Sequence, residues 1–305
     1  MSEDARAAQR RRLALAGLVI VIMLWSGNAI VGRAVRDDIP PFFLALVRWT
    51  GALAILLPFA VRHVVRDRAQ LMASWKIVLL LGLTGVASFN ALIYTGLHYT
   101  TASNSMLLQA AIPPLVLLAD RVIFGVRSRS AQLAGVIAAM AGVVVIVCQG
   151  SLAVLLNLHF GIGDIYILAA VVAWALYTSL LRLRPQVHPL SFLAVTFTIA
   201  ALAMAPLAAT EGERIAAMGW TPGVIGGCLY VAIFPSLIAY LLYNRAVAEV
   251  GPAMAGQAIS LMPLFGAGLA ALLLSEPLHG YHAAGMVLIA AGLGIGWLAV
   301  RRAAH

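Results

Sequence analysis

The run Leu13–Trp25 holds thirteen consecutive residues with no charged, amide or hydroxyl side chain. A helix needs about 20 mostly apolar residues to cross the hydrocarbon of a bilayer. Ten stretches of the chain meet that requirement, at about 13–33, 41–61, 76–97, 101–121, 130–149, 163–182, 189–209, 222–243, 251–274 and 281–300. Lipid offers no hydrogen-bond partner to an open backbone, so continuous apolar runs of this length must be helical. They lack the alternation of barrel strands. The expected fold class is therefore an all-α membrane protein with ten transmembrane helices. Of the 305 residues, 63% are hydrophobic and 10% charged, against about 25% charged in a soluble domain.

The net charge of +9 invites a nucleic-acid reading. The distribution argues against it, because the basic residues fall in short runs between apolar stretches. With the N-terminus inside, sixteen of the twenty Lys and Arg lie on the inner side, three lie outside, and Arg48 is within a span. That bias places both termini in the cytoplasm. Arg10-Arg11-Arg12 before an apolar run has the form of a signal sequence, but it lacks a convincing small-x-small cleavage site and more spans follow, so a retained first helix is expected. Cys148 and Cys228 form no CxxC and read as small apolar residues inside spans.

The two halves repeat. Trp25 and Trp174, Arg33 and Arg182, Tyr94 and Tyr243, and Pro114 and Pro263 each stand 149 positions apart. Gly135 and Gly285, like Gly142 and Gly292, stand 150 apart. Five spans per copy is odd, so the second copy is inverted relative to the first. The expected organisation is a basic N-terminus (1–12), a first five-helix repeat (13–149), an extracytoplasmic linker (150–162), a second repeat (163–300) and a short C-terminus (301–305). Inverted repeats are an architecture of carriers whose substrate site lies near the midplane between the halves.

This arrangement resembles the drug/metabolite transporter superfamily, in its EamA branch. The resemblance covers nearly the whole chain. It rests on Leu24-Trp25-Ser26-Gly27-Asn28, Pro113-Pro114, Gly163-Asp164, Ala173-Trp174-Ala175-Leu176-Tyr177, Pro263 and Leu274-Ser275-Glu276-Pro277. Where that family often has an acid matching Glu276 at the end of the fourth span, this chain has Arg127. The resemblance implies a multi-pass inner-membrane solute carrier, often an exporter of amino acids, other metabolites or drugs. Among these it looks most like the bacterial amino-acid exporters of the YddG type. The partners implied are a small-molecule solute and membrane lipid, with no cofactor.

All acidic residues and histidines fall in loops or at span ends, whereas proton-driven carriers usually keep an ionisable group at depth. Facilitated diffusion or exchange follows; His98 and Asp120 are the sites for a proton-coupled alternative, such as a drug exporter. Arg48, about 10 Å deep, is either a partner for a substrate carboxylate, a structural pair or a snorkelling side chain. Candidate cavity residues are Asn28, Asn90, Tyr94, Asn104, Gln109, Trp174, Tyr177, Tyr240, Tyr243, Gln257 and Ser260, because polar groups within spans need partners that a cavity or a solute can supply. The alternative for each is a bond between helices. Trp25 and Trp174 also suit core packing.

Pro113, Pro114 and Pro263 are candidate hinges, as mid-span prolines bend helices. The glycine pairs 135/142 and 285/292 suggest scaffold helices packed closely, with room for a homodimer contact as well as a monomer. An enzyme is the reading from another class: Gly161-Ile162-Gly163-Asp164 fits the GxGD of intramembrane aspartyl proteases. That chemistry needs a second carboxylate sharing a proton with Asp164, and no span holds one. HExxH is absent, and no metal site is expected.

Overall fold

A computed structural model of the chain describes residues 3–35, 37–100, 102–159, 161–274 and 278–301. Arg36, the Ser275-Glu276-Pro277 segment, Arg302 and His305 lie outside the described residues. The first copy is built from α1 (Glu3–Ala34), α2 (Pro41–Ala73), α3 (Trp75–Leu81), α4 (Phe89–Leu97), α5 (Ala102–Gln109), α6 (Ile112–Phe124) and α7 (Ser130–Val147). A short α8 (Leu152–Leu156) occupies the linker. The second copy holds α9 (Ile162–Leu180), α10 (Pro189–Ala209), α11 (Gly212–Ala216), α12 (Pro222–Ala232), α13 (Ala239–Val250), α14 (Pro252–Ala258), α15 (Met262–Leu274) and α16 (Gly280–Arg301).

Each of the ten apolar stretches falls on helix. Among the described residues, eight continuous helical segments are long and apolar enough to cross a membrane, and Gly280–Gly296 is a shorter one. The 252–274 stretch is split by a 3-10 turn at Ile259–Leu261. The α2 helix departs most from expectation, running twelve residues past position 61. Arg62, Arg66 and Arg68 lower the hydropathy there, yet nothing in that sequence breaks a helix.

Helix contacts obey the internal repeat. The second helices of the two copies, α2 and α10, pack together, as do the fifth, α7 and α16. Across the copies, the contacts of α4 and α6 with α9 are mirrored by those of α13 and α15 with α1. The α7–α16 seam depends on glycine. A Cβ on Gly135 would stand 2.6 Å from the Gly292 carbonyl oxygen, and one on Gly142 would stand 2.6 Å from that of Gly285. The glycine stripes are thus used within one chain, where the sequence also left room for a dimer contact.

The copies share two irregularities. A π-helical turn at Gly82–Ser88 joins α3 to α4, and another at Ile233–Ile238 joins α12 to α13. The fourth span is interrupted in both copies, between α5 and α6 and between α14 and α15. Pro113, Pro114 and Pro263 therefore lie in the first turn of a new helix, not at a bend within one. Proline costs little in a first turn, since N–H groups there have no partner inside the helix.

Candidate functional site

Trp25 and Trp174 are equivalent positions of the two copies, and their rings touch edge to face at 5.1 Å. Equivalent residues meet only at the axis relating the copies, so this pair marks the centre of the bundle. Tyr243 packs 5.2 Å from Trp25 and 5.4 Å from Trp174. Tyr240 stands 5.5 Å from Trp49, and Tyr177 stands 5.3 Å from Trp174. Four of the candidate cavity residues, Trp174, Tyr177, Tyr240 and Tyr243, thus form one buried aromatic cluster with Trp25 and Trp49.

Arg48 lies against this cluster and is only 4% exposed. Its Nε donates to Ser236 Oγ at 2.5 Å, Nη1 to Asn90 Oδ1 at 3.2 Å, and Nη2 to the Pro235 carbonyl at 3.2 Å. Its guanidinium lies 4.7 Å from the Trp49 ring centre. Trp25 Nε1 donates to the same Pro235 carbonyl at 3.0 Å, which sets the guanidinium at the level of the central axis. The π-turns make this possible. Their wider coil frees carbonyls that an α-helix would use. Pro235 offers one to Arg48, and Gly85 offers one to the Tyr240 hydroxyl at 2.8 Å. All three acceptors of Arg48 are neutral. No carboxylate pairs with it among the described residues. A buried cation without a counter-ion is costly at this depth.

Toward the end of the bundle rich in Lys and Arg, the packing closes. Tyr177 donates to Asn244 Oδ1 at 2.7 Å, and the Thr178 and Tyr243 hydroxyls bond at 2.8 Å. Ser179 donates to Asp120, which pairs with Arg182 at 2.6 Å. Arg184 donates to the Asn244 carbonyl at 3.1 Å. Residues 177–181 and 254–260 are buried without exception. In the opposite half, residues 91–95 and 261–269 are half-exposed at every position, as are the described side chains of 27–32. Helices partly exposed on all faces line open space as well as lipid. The equivalent tyrosines record the difference: Tyr94 is half-buried and Tyr243 is 0% exposed.

The remaining candidates divide by location. Asn28 and Tyr94 are half-buried on α1 and α4 in the looser half. Gln109 is half-buried and bonds to Ser105 one turn back on α5. Asn104 sits apart, at the lightly charged end, and donates to the His159 carbonyl at 2.9 Å and to Asp164 at 3.2 Å. Gln257 donates to the Gly292 carbonyl at 2.8 Å, which places it at the α7–α16 seam. Ser260 is buried at the break before α15, and its hydroxyl has no partner among the described residues. Asp164 accepts from Thr100 Oγ1 and from the Gly161 backbone N–H, each at 2.6 Å, and so caps α9. His98 is exposed at the end of α4. Asp120, expected at a span end, is buried in its ion pair.

Sequence reasoning missed Ser236, Trp49 and the Pro235 carbonyl. The available signal was Pro235 itself, a mid-span proline with a polar neighbour, directly ahead of Tyr240 and Tyr243.

The EamA-like transporter family model matches the chain twice, at residues 12–148 and 161–296. The uncharacterized transporter YyaM of Bacillus subtilis is 27% identical, with 83% of each chain covered. The uncharacterized inner membrane transporter YedA of Escherichia coli K12 is 26% identical, covering 88% of this chain and 86% of its own. A solved crystal structure superposes with a TM-score of 0.74 at 21% identity, over 95% of this chain and 98% of the other, which shows the shared fold. With a double family match over most of its length, this chain belongs to the EamA-like transporter family, a family of membrane transporters.

Proposed function

We propose that the chain exports amino acids, including aromatic or apolar ones, or related small carboxylates, from the cytoplasm across a bacterial inner membrane. The observation that carries this reading is Arg48, a buried guanidinium with only neutral acceptors, set beside aromatic rings at the junction of the two copies. A solute carboxylate supplies the missing counter-charge, and Trp and Tyr faces suit an apolar side chain. Asn90, Tyr94 and Tyr240 are the polar groups nearest in function to Arg48 in this scheme, and Asn28 and Gln109 line the approach.

Transport proceeds by alternating access, without a required ion gradient. The closed half at the basic end, which the excess of Lys and Arg assigns to the cytoplasm, is one gate. For export this gate opens first, loosening the Tyr177, Tyr243 and Asp120–Arg182 contacts to admit cytoplasmic solute, and closes again behind the occupied site. The breaks before Pro114 and Pro263 let the half-spans move, as discontinuous helices do in other carriers.

The test is uptake of labelled amino acids into liposomes holding the purified protein, with and without a proton gradient. Gradient-independent uptake of some members, competed by others, is the expected result. Uptake only with a gradient would move the mechanism to proton coupling, with Asp120 as the first residue to replace. No uptake under either condition, from folded protein, would reject amino acids and turn the search to drugs and other metabolites.

A further inference from the structure

Away from the bundle centre, the last turns of α2, the start of α3 and the middle of α10 enclose an open groove of about 400 Å³. Val64, Leu71, Val78, Val195 and Ile199 make its floor and walls apolar, and Trp75 stands at its edge, 56% exposed. One cation, Arg68, lines it, and Lys76 follows Trp75 with its ammonium 5.8 Å from that ring. Arg62 and Arg66 are exposed on the same segment of α2. The acid nearest in sequence, Asp67, is buried and turned to other work: it accepts from the His188 backbone N–H at 2.8 Å and from Ser191 at 2.7 Å. Arg66 leans on it at 3.3 Å. Among the described residues no carboxylate lies within pairing distance of Arg68 or Lys76.

The groove thus joins an apolar trough to uncompensated positive charge, with an interfacial tryptophan between them. We propose that it is a binding site for one phospholipid with an anionic headgroup, drawn from the leaflet that faces the basic end of the bundle. An acyl chain lies along Val64, Val78 and Ile199, and the headgroup phosphate meets Arg68 and Lys76. Basic residues beside a span attract anionic lipid, and Trp favours headgroup depth. The site is independent of the solute site at Arg48. A substrate would have to enter the bundle, whereas this groove opens outward between α2, α3 and α10.

Native mass spectrometry of the purified full chain in mixed micelles tests this. Phosphatidylglycerol and phosphatidylcholine of identical acyl composition are supplied in equal amounts. The expected result is one phosphatidylglycerol retained in preference to phosphatidylcholine. Arg68→Gln and Lys76→Gln each lower that preference about fivefold, as about 1 kcal/mol per basic residue implies. Both side chains are exposed, so neither change threatens folding. Val195→Trp, at a half-buried position on the groove wall, fills the trough and removes retention of both lipids. Excess inorganic phosphate does not displace the bound lipid; if it did, the site would be one for a free anion and the lipid assignment would fall. Equal retention of the two lipids, or no effect of the glutamine variants, would overturn the proposal. So would a protein dimer, free of lipid, that Val195→Trp dissociates, since the trough would then hold a second copy.

Discussion

At the scale of the residue, Arg48 separates what sequence can say from what it cannot. Its type and depth were legible, because one charge in a span of apolar residues stands out. Its partners were not. The acceptors come from α4 and from a π-turn almost two hundred positions away, and one is a backbone carbonyl freed by irregular geometry. Arg48→Gln is expected to reduce amino-acid uptake about tenfold or more, the cost of losing a charge-assisted hydrogen bond. Arg48→Lys should not restore it, because an ammonium cannot reproduce the planar fork. Initial uptake rates, with solubility and helicity as folding controls, decide it; wild-type rates from either variant would leave Arg48 a structural residue. Gln257 teaches the opposite lesson. An amide in a span reads as cavity lining until its partner, the Gly292 carbonyl, is seen.

At the scale of the element, glycine spacing was readable and the identity of its partner was not. Seven-residue spacing marks one face of a helix, but only the fold shows that α7 meets α16. Gly142→Val is expected to destabilise the protein by about 1–3 kcal/mol, since the added groups overpack a backbone contact. Thermal unfolding in detergent measures this, and an unchanged midpoint would refute close packing at the seam. The proline-marked breaks were anticipated as bends, because sequence shows a missing N–H and not where the helix restarts. If Pro263→Ala moves solute at the wild-type rate, the break serves only to make space.

The start of α10 carries a pH dependence. His188 Nδ1 accepts from the Leu190 N–H at 3.3 Å, and its ring stacks on His63 at 3.6 Å. Burial, followed by the neighbouring His63 and Arg66, lowers the His188 pKa from its ordinary 6.5. The folded protein holds this imidazole neutral, so its contribution to stability is complete above about pH 6.5 and declines as pH falls through the lowered value. His188→Asn keeps a capping acceptor and should flatten that decline in a melting series from pH 7.5 to 5. An identical slope in the variant would assign the acid sensitivity elsewhere.

At the scale of the whole molecule, the inverted repeat was the most legible feature, because a constant offset survives where individual residues do not. The state of the two halves left no such trace. Tyr94 and Tyr243 are the same residue at equivalent positions, yet one is half-exposed and the other enclosed. Identical letters carry no record of which side is closed. A Tyr94→Cys variant should react with a membrane-impermeant thiol reagent applied from the lightly charged side. Tyr243→Cys should resist reagent from both sides in the absence of solute; equal labelling of the two would contradict the closed basic half. The native Cys148 and Cys228 are buried and give a low background. Within the closed half, Asn244 Nδ2 has no partner among the described residues. An unpaired buried donor disfavours closure, so this gate costs less to open.

The seam between α7 and α16 also constrains how the protein can be made. Helices leave the ribosome in chain order, and α7 emerges about 150 residues before the helix that covers its glycine face. Throughout that interval the first copy, although it already holds its own helices, is an unfinished object with an exposed contact surface. Its assembly cannot be completed locally during synthesis. It waits for α16, and a ribosome that stalls before Gly280 leaves behind a membrane intermediate whose open stripe is the feature a quality-control protease would meet.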